Sequence, residues 1–353
     1  MLRLKLSLLG SSGLLLLSFM LLLSIATGPV RLPLSESLQA LLSLPSHAND
    51  LSTQQLIIQT IRLPRTLLCI SVGAILALAG AVLQGLFRNP LADPGIIGVS
   101  GGAALGAGLS IVLLPVGVSL GGLSIAGFSL GWLSLGYTAL CAFLCGMLTT
   151  LLVYRIGRTP FGTSVNMMLL AGVAIGAIAF SGLGLLSYLA DDQQLRDLSL
   201  WQMGSLAGAR WDTLLLSSLT LLVLLVGFYR QAPALNALLL GESEARHLGV
   251  NVERLKRRLI IGCAVGIGVS VSVSGMIGFI GLIVPHLVRM LCGPDYRNLL
   301  PLSALCGAIL LLLADLLARQ LAAPAEIPVG IITALLGAPF FIWLLIQQKR
   351  SAA

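Results

Sequence analysis

Few side chains in this sequence could do chemistry, and most of the charged ones gather in one place. The chain of 353 residues carries 21 Lys and Arg, 13 Asp and Glu and three His. Its most charged run is residues 241–258, Gly-Glu-Ser-Glu-Ala-Arg-His-Leu-Gly-Val-Asn-Val-Glu-Arg-Leu-Lys-Arg-Arg. Glu242 and Arg246 stand four apart, so they face each other across one helical turn, while Leu240, Ala245 and Leu248 share another face and Gly249 supplies a left-handed stop. Glu253 and Arg257 repeat the spacing at the mouth of the next apolar segment. The pattern is that of a short amphipathic helix in water, a shape that binds rather than catalyses. Two readings follow from it: a solvated loop whose positive charge orients the protein, or a docking surface for a partner in the aqueous phase.

The remaining candidates do not assemble into a reactive set. The six cysteines, Cys69, Cys141, Cys145, Cys263, Cys292 and Cys306, lie in or at the ends of apolar segments without the paired spacing of a metal or redox motif. His47 and His247 belong to polar loops, and no ligand cluster forms around them. Asp315 and His286 are the main ionisable residues within apolar segments, where a proton- or sodium-coupled carrier would be expected to place several. The sequence has no phosphate loop, nucleophile elbow or paired carboxylates. It is therefore not read as an enzyme, and no cofactor is called for. Any energy source has to come from another subunit.

The elements that must position these residues are membrane helices. With 57% hydrophobic and 10% charged residues, the chain has too little polar surface for a soluble globule of its length. Apolar segments of about 20 residues recur, the length of a membrane-spanning helix. The fold class is all-α, a polytopic membrane protein of about ten transmembrane helices with cytoplasmic termini, forming one transmembrane domain over residues 1–353. The spans are placed at 6–26, 62–87, 96–114, 128–154, 167–190, 212–229, 259–275, 277–291, 299–320 and 328–346. A long polar connection covers 28–60, and a short surface helix covers 198–206. Small residues recur every fourth position in several spans, among them Gly73, Ala77, Ala81 and Gly85, then Gly98, Gly102 and Gly106, then Gly262, Gly266, Ser270 and Ser274.

With the amino terminus in the cytoplasm, ten spans put fifteen basic residues on that side and six on the other: Arg31, Arg62, Arg65, Arg196, Arg210 and Arg319. The net charge of +8 is thus explained by orientation, not by nucleic acid. Arg62-Leu-Pro-Arg65 opens the second span much as Arg254-Leu-Lys-Arg257 opens the seventh. The two spans are five apart and so opposite in direction, as in an inverted repeat.

Five blocks in order resemble one known family. They are Arg62-Leu-Pro-Arg65, the segment Gly80 to Ala103, Gly241-Glu-x-x-Ala-x-x-Leu-Gly249, the segment Gly278 to Arg289 with Pro285 and His286, and Glu326-Ile-Pro-Val-Gly330 with Gly337-Ala-Pro-Phe340. Together they look like the permease subunits of binding-protein-dependent ABC importers for ferric siderophores, haem and cobalamin.

The resemblance implies a homodimer in the bacterial inner membrane, joined by two ATP-binding cassette subunits and one periplasmic substrate-binding protein, in contact with lipid and not with nucleic acid. Gly241, Glu242, Ala245, Leu248 and Gly249, within a cytoplasmic loop at 235–257, match the helix that couples to the ATPase. Arg62, Arg65 and Arg319 match positions that meet acidic residues of the binding protein. Thr163, Ser164, Val165 and Asn166 match the segment that closes the cytoplasmic end of the pathway. Pro285, His286 and Arg289 are taken as structural, a kink with a capped helix end. The implied cargo is an iron chelate, with haem leading and a ferric siderophore next. The alternative is an ion-coupled secondary transporter, which buried carboxylates would favour.

Overall fold

Nearly all of the described backbone is helical. A computed structural model of the chain describes residues 6–28, 53–90, 92–113, 124–125, 128–129, 136–160 and 162–352. The helices are α1 (Leu6–Ala26), α2 (Thr53–Leu86), α3 (Val99–Leu113), α4 (Tyr137–Gly157), α5 (Val165–Leu189), α6 (Asp192–Gln202), α7 (Trp211–Leu239), α8 (Glu242–His247), α9 (Val252–Ser274), α10 (Ile280–Cys292), α11 (Tyr296–Gln320) and α12 (Val329–Ala352). A 3₁₀ turn at Pro94–Ile97 precedes α3. Two small antiparallel hairpins complete the description, β1 (Ser124–Ile125) with β2 (Phe128–Ser129), and β3 (Arg158–Thr159) with β4 (Gly162–Thr163).

Among the described residues, seven helices are long and apolar enough to cross a bilayer: α1, α2, α4, α5, α7, α9 and α11. Three shorter apolar helices, α3, α10 and the first part of α12, stand where the third, eighth and tenth spans were expected. Large apolar side chains point outward along α4 (Leu144, Leu148), α5 (Leu170, Val173, Ile178) and α7 (Leu215, Leu219, Leu222). A surface of this kind is stable in lipid and not in water. The protein is a multi-pass membrane protein.

The helix α2 is the centre. From Pro64 to Leu86 it is buried at every position except Leu67 and Ile70. Its small residues let neighbours approach to backbone contact. A Cβ on Gly73 would meet the carbonyl of Gly307 on α11, and one on Gly80 would meet that of Gly281 on α10. On its other side α9 runs antiparallel to it, with Gly266 against Ile75 and the Cys263 thiol against the carbonyl of Ala79.

Some buried polar groups in this core pair between helices. Pro285 has no N–H, so the carbonyl of Gly281 four residues earlier loses its helical donor. The Gln84 amide supplies one from α2, donating to Leu282 O at 3.0 Å and Gly281 O at 3.4 Å, and its own oxygen accepts from Arg289 Nη1 at 3.2 Å. The Pro285 kink and Arg289 are thus served by a single side chain. Each such bond contributes about 0.5–1.5 kcal/mol net.

Several boundaries differ from those expected, each for a local reason. The second helix begins at Thr53, inside the stretch assigned to a polar connection, and passes through a π-helical turn at Ile57–Arg62 just before Pro64. The fourth begins at Tyr137, after the β1–β2 hairpin, instead of at 128. The surface helix is α6, shifted towards the acidic stretch because Asp191 and Gln194 form a capping box. The sixth continues through Pro233 to Leu239, and the seventh starts at Val252, where the Asn251 side chain accepts from the Arg254 amide. The charged residues 253–258 therefore form helix, not loop. Between α9 and α10 the chain breaks at Gly275 (φ 67°), whose missing side chain admits the carbonyl of Trp201 at the end of α6. Of the polar connection at 28–60, Pro33, Pro45, His47, Asn49 and Asp50 lie outside the described residues.

Candidate functional site

The predicted site residues fall at the two ends of the bundle. One end holds the start of α2 and the end of α11, with Arg62, Arg65 and Arg319. The other holds the ends of α2 and α7, α8, the start of α9 and the β3–β4 hairpin, with Thr163 to Asn166 and the 241–249 stretch.

At this second end, α8 is a short rod laid across the turn between α7 and α9. Gly241 precedes it with φ 125° and Gly249 follows it with φ 82°, conformations that glycine adopts without strain. Ala245 is fully buried against the bundle. Leu240 and Leu248, expected on the same face, are instead exposed, Leu248 at 63%. They project an apolar surface away from the chain's own core. Glu242 reaches Arg246 at 3.8 Å, a weak exposed pair, and Lys256 Nζ at 2.7 Å.

The hairpin lies alongside. Thr163 ends β4 and is buried, Ser164 caps α5 by accepting from the Met167 amide, and Val165 and Asn166 begin that helix. Glu253, which the spacing paired with Arg257, turns to Thr163 instead, accepting from its amide at 3.0 Å and from its hydroxyl at 2.7 Å.

At the first end the three arginines are nearly inaccessible, with exposures of 4% for Arg62, 7% for Arg65 and 4% for Arg319. Helix α1 ends with no basic residue of its own in its last turn, leaving carbonyls without donors. Arg62 donates to Ile25 O at 2.7 Å and Ala26 O at 3.0 Å, and Arg319 donates to Ser24 Oγ at 2.7 Å and to the carbonyls of Ser24 and Thr27. They cap α1 from neighbouring helices. Arg65 donates to Asp315 Oδ1 from Nε and Nη2 and to Glu326 Oε2 from Nη1 at 2.8 Å. Arg319 Nε also lies 3.0 Å from Asp315 Oδ2 but donates to the Asp315 carbonyl, so its contact with the carboxylate is Coulombic. A carboxylate arriving from a partner would find these arginines engaged within the chain.

Residues 15–347 match the model of the FecCD transport family. The chain belongs to the FecCD transport family. Among its relatives is the hemin transport system permease protein HmuU of Yersinia pestis, 49% identical over 294 residues, which cover 82% of this chain and 83% of HmuU. The vitamin B12 import system permease protein BtuC of Salmonella paratyphi A is 44% identical over 297 residues, 84% of this chain and 85% of BtuC. A solved structure described as a metal-chelate type ABC transporter, in an inward-facing conformation, superposes with a TM-score of 0.79 at 35% identity, covering 96% of this chain and 98% of that one.

In this FecCD permease the sequence motifs located both ends but not the residues that tie them together. Lys256, Asp315 and Glu326 were given no role beyond charge, depth or motif membership. A signal for Lys256 was present: it stands four residues from both Val252 and Ile260, on the apolar side of α9, so it is the one cation of the 254–258 run that the helix turns inward. Asp315 and Arg319, also four apart, carried the same kind of signal.

Proposed function

We propose that this FecCD permease is the transmembrane subunit of an ABC importer that moves haem across the bacterial inner membrane into the cytoplasm. It works as a homodimer with two separate ATPase subunits and a periplasmic binding protein, its termini in the cytoplasm. The observation that carries this reading is α8, which seals Ala245 into the bundle and turns Leu240 and Leu248 outward in a chain without a nucleotide-binding motif of its own. Exposed apolar side chains flanking a short helix at the basic end are suited to a groove on a motor subunit. Thr163, Ser164, Val165 and Asn166 then close the cytoplasmic end of the pathway.

Haem leads because the relative that transports hemin is 49% identical and those that import vitamin B12 are 44% identical. The binding protein docks at the end that carries Arg62, Arg65 and Arg319, Arg65 taking a carboxylate of the partner in exchange for the half-exposed one of Glu326. An ion-coupled carrier is disfavoured because the Asp315 carboxylate is held by Arg65.

The test is reconstitution of the permease with its ATPase and binding protein in liposomes, followed by uptake and substrate-stimulated ATP hydrolysis with haemin, a ferric siderophore and cobalamin. Haemin alone should stimulate both. Stimulation by cobalamin alone would reassign the substrate, and uptake driven by an ion gradient without ATP would overturn the importer.

A further inference from the structure

One cluster at the basic end joins three elements that the chain's connectivity leaves separate. Lys256, on the second turn of α9, is only 2% exposed, yet its ammonium nitrogen has partners on each of them. It lies 2.7 Å from Glu242 Oε1 on α8 and donates to the Thr163 carbonyl of β4 at 2.8 Å, with Glu253 Oε1 of its own helix at 3.9 Å. Glu253 closes the circuit by accepting from the amide and hydroxyl of the same Thr163. Thr163 is therefore gripped at its carbonyl, amide and hydroxyl, by two side chains one turn apart on α9. Ser164, the next residue, is the N-cap of α5.

We propose that Lys256 is the positioning residue through which α8 sets the start of α5, so that a displacement of α8 by the motor subunit is delivered to the gate at Thr163–Asn166. The proposal rests on the coupling role of α8 given above. A buried ammonium holding one carboxylate and one carbonyl cannot follow one and keep the other if the two separate. Movement of Glu242 must therefore drag Thr163, or the 2.7 Å ion pair must break and leave the buried ammonium with only the 3.9 Å contact to Glu253. Two distinct arrangements favoured by these alternatives are what a switch needs, whereas a solvated pair would adjust continuously. The hairpin is a suitable receiver. Its strands are two residues each, and Ser164 N is bonded to Gly157 O at 2.9 Å, so the hairpin moves as a unit against the end of α4.

The experiment uses the complete importer in liposomes, with Asn166→Cys as an exposed reporter and the chain lacking that substitution as background for the native thiols. Labelling by a water-soluble thiol reagent is timed with and without a non-hydrolysable ATP analogue. The nucleotide should change the parental rate at least about fivefold, the lower end of ordinary site-to-site coupling. Lys256→Met keeps the stem and removes the charge, and should bring the ratio close to one while the ATPase still co-purifies. Glu253→Gln, which loosens the grip on Thr163 without touching α8, should lower the ratio as well and decides the matter if Lys256→Met fails to insert. Parental ratios in both variants would overturn the proposal. Loss of ATPase association in Leu248→Ala but not in Lys256→Met supports it, whereas a parent that never binds the ATPase removes the coupling reading itself.

Discussion

Arg65 and Asp315 are 250 residues apart in sequence and meet as a buried ion pair, with Nε at 3.0 Å and Nη2 at 2.8 Å from the same carboxylate oxygen. Asp315 has no accessible surface, and a second cation, Arg319, lies within 3.0 Å of its other oxygen. The anion thus holds two arginines together at the junction of α1, α2 and α11. Asp315→Asn should destabilise the permease by about 3–5 kcal/mol, because it leaves the buried Arg319 without a counterion and Arg65 with only the more exposed carboxylate of Glu326. Thermal unfolding in mild detergent checks this. A melting temperature equal to the parent's would mean that water already screens the site.

Docking of the binding protein is best tested without destroying that junction. Glu326→Gln removes the more exposed of the two carboxylates on Arg65 and leaves Asp315 in place. Affinity for the binding protein should rise by up to about fivefold, the effect of one partly exposed ion pair, and the gain should fade at high salt. A fall in affinity would show that Glu326 is itself part of the docking surface.

On the opposite end, Leu248→Asp should leave insertion and folding intact, since the side chain is exposed and contributes little to the chain's own core. It should abolish co-purification of the ATPase, because a charge would enter an apolar contact. Undiminished substrate-stimulated hydrolysis in the purified variant complex would refute the role of α8.

Acid should act at the turn into α11. Asp295 accepts from the Asn236 side chain at 2.7 Å and from the Arg297 amide, and these bonds hold its carboxyl below the usual carboxylate value. A depressed folded pKa contributes stability that is present above the unfolded value and is lost as pH falls through the folded one. The difference in melting temperature between the parent and Asp295→Asn should therefore be steady above about pH 5 and shrink below about pH 4. A difference independent of pH would show that the bonds form equally well to the neutral side chain.

Much of the scaffold was legible in the sequence because lipid imposes one rule on every residue of a span. Apolar length, small-residue ladders and the Gly249 stop each have a local cause, and the short helix at 242–247 and the Gly73 contact follow from them. Helix ends were less legible where charge sits on helix, as at Glu253 to Arg258, since a run of ions looks the same in solvated loop and on a projecting turn. The arginines were the hardest case. Nothing near Arg62 in sequence indicates that its task is the end of α1, because the carbonyls that it caps belong to residues 25 and 26. Partners that far apart in sequence are fixed by packing, and one sequence without its fold does not contain them in readable form.

The glycine contacts of α2 have a mechanical consequence. Gly73 and Gly80 are two turns apart, about 10 Å along the axis, and at both points α2 touches a neighbour backbone to backbone, α11 at Gly307 and α10 at Gly281. Contacts without side chains have no rotamers to exchange, so at these two points α2 has no soft layer in which to slide past α11 or α10. The three helices form a stator. Any movement has to be taken up by the helices that meet this block through longer side chains, as α9 does at Gly266 against Ile75 of α2, and by the hairpin at the head of α5.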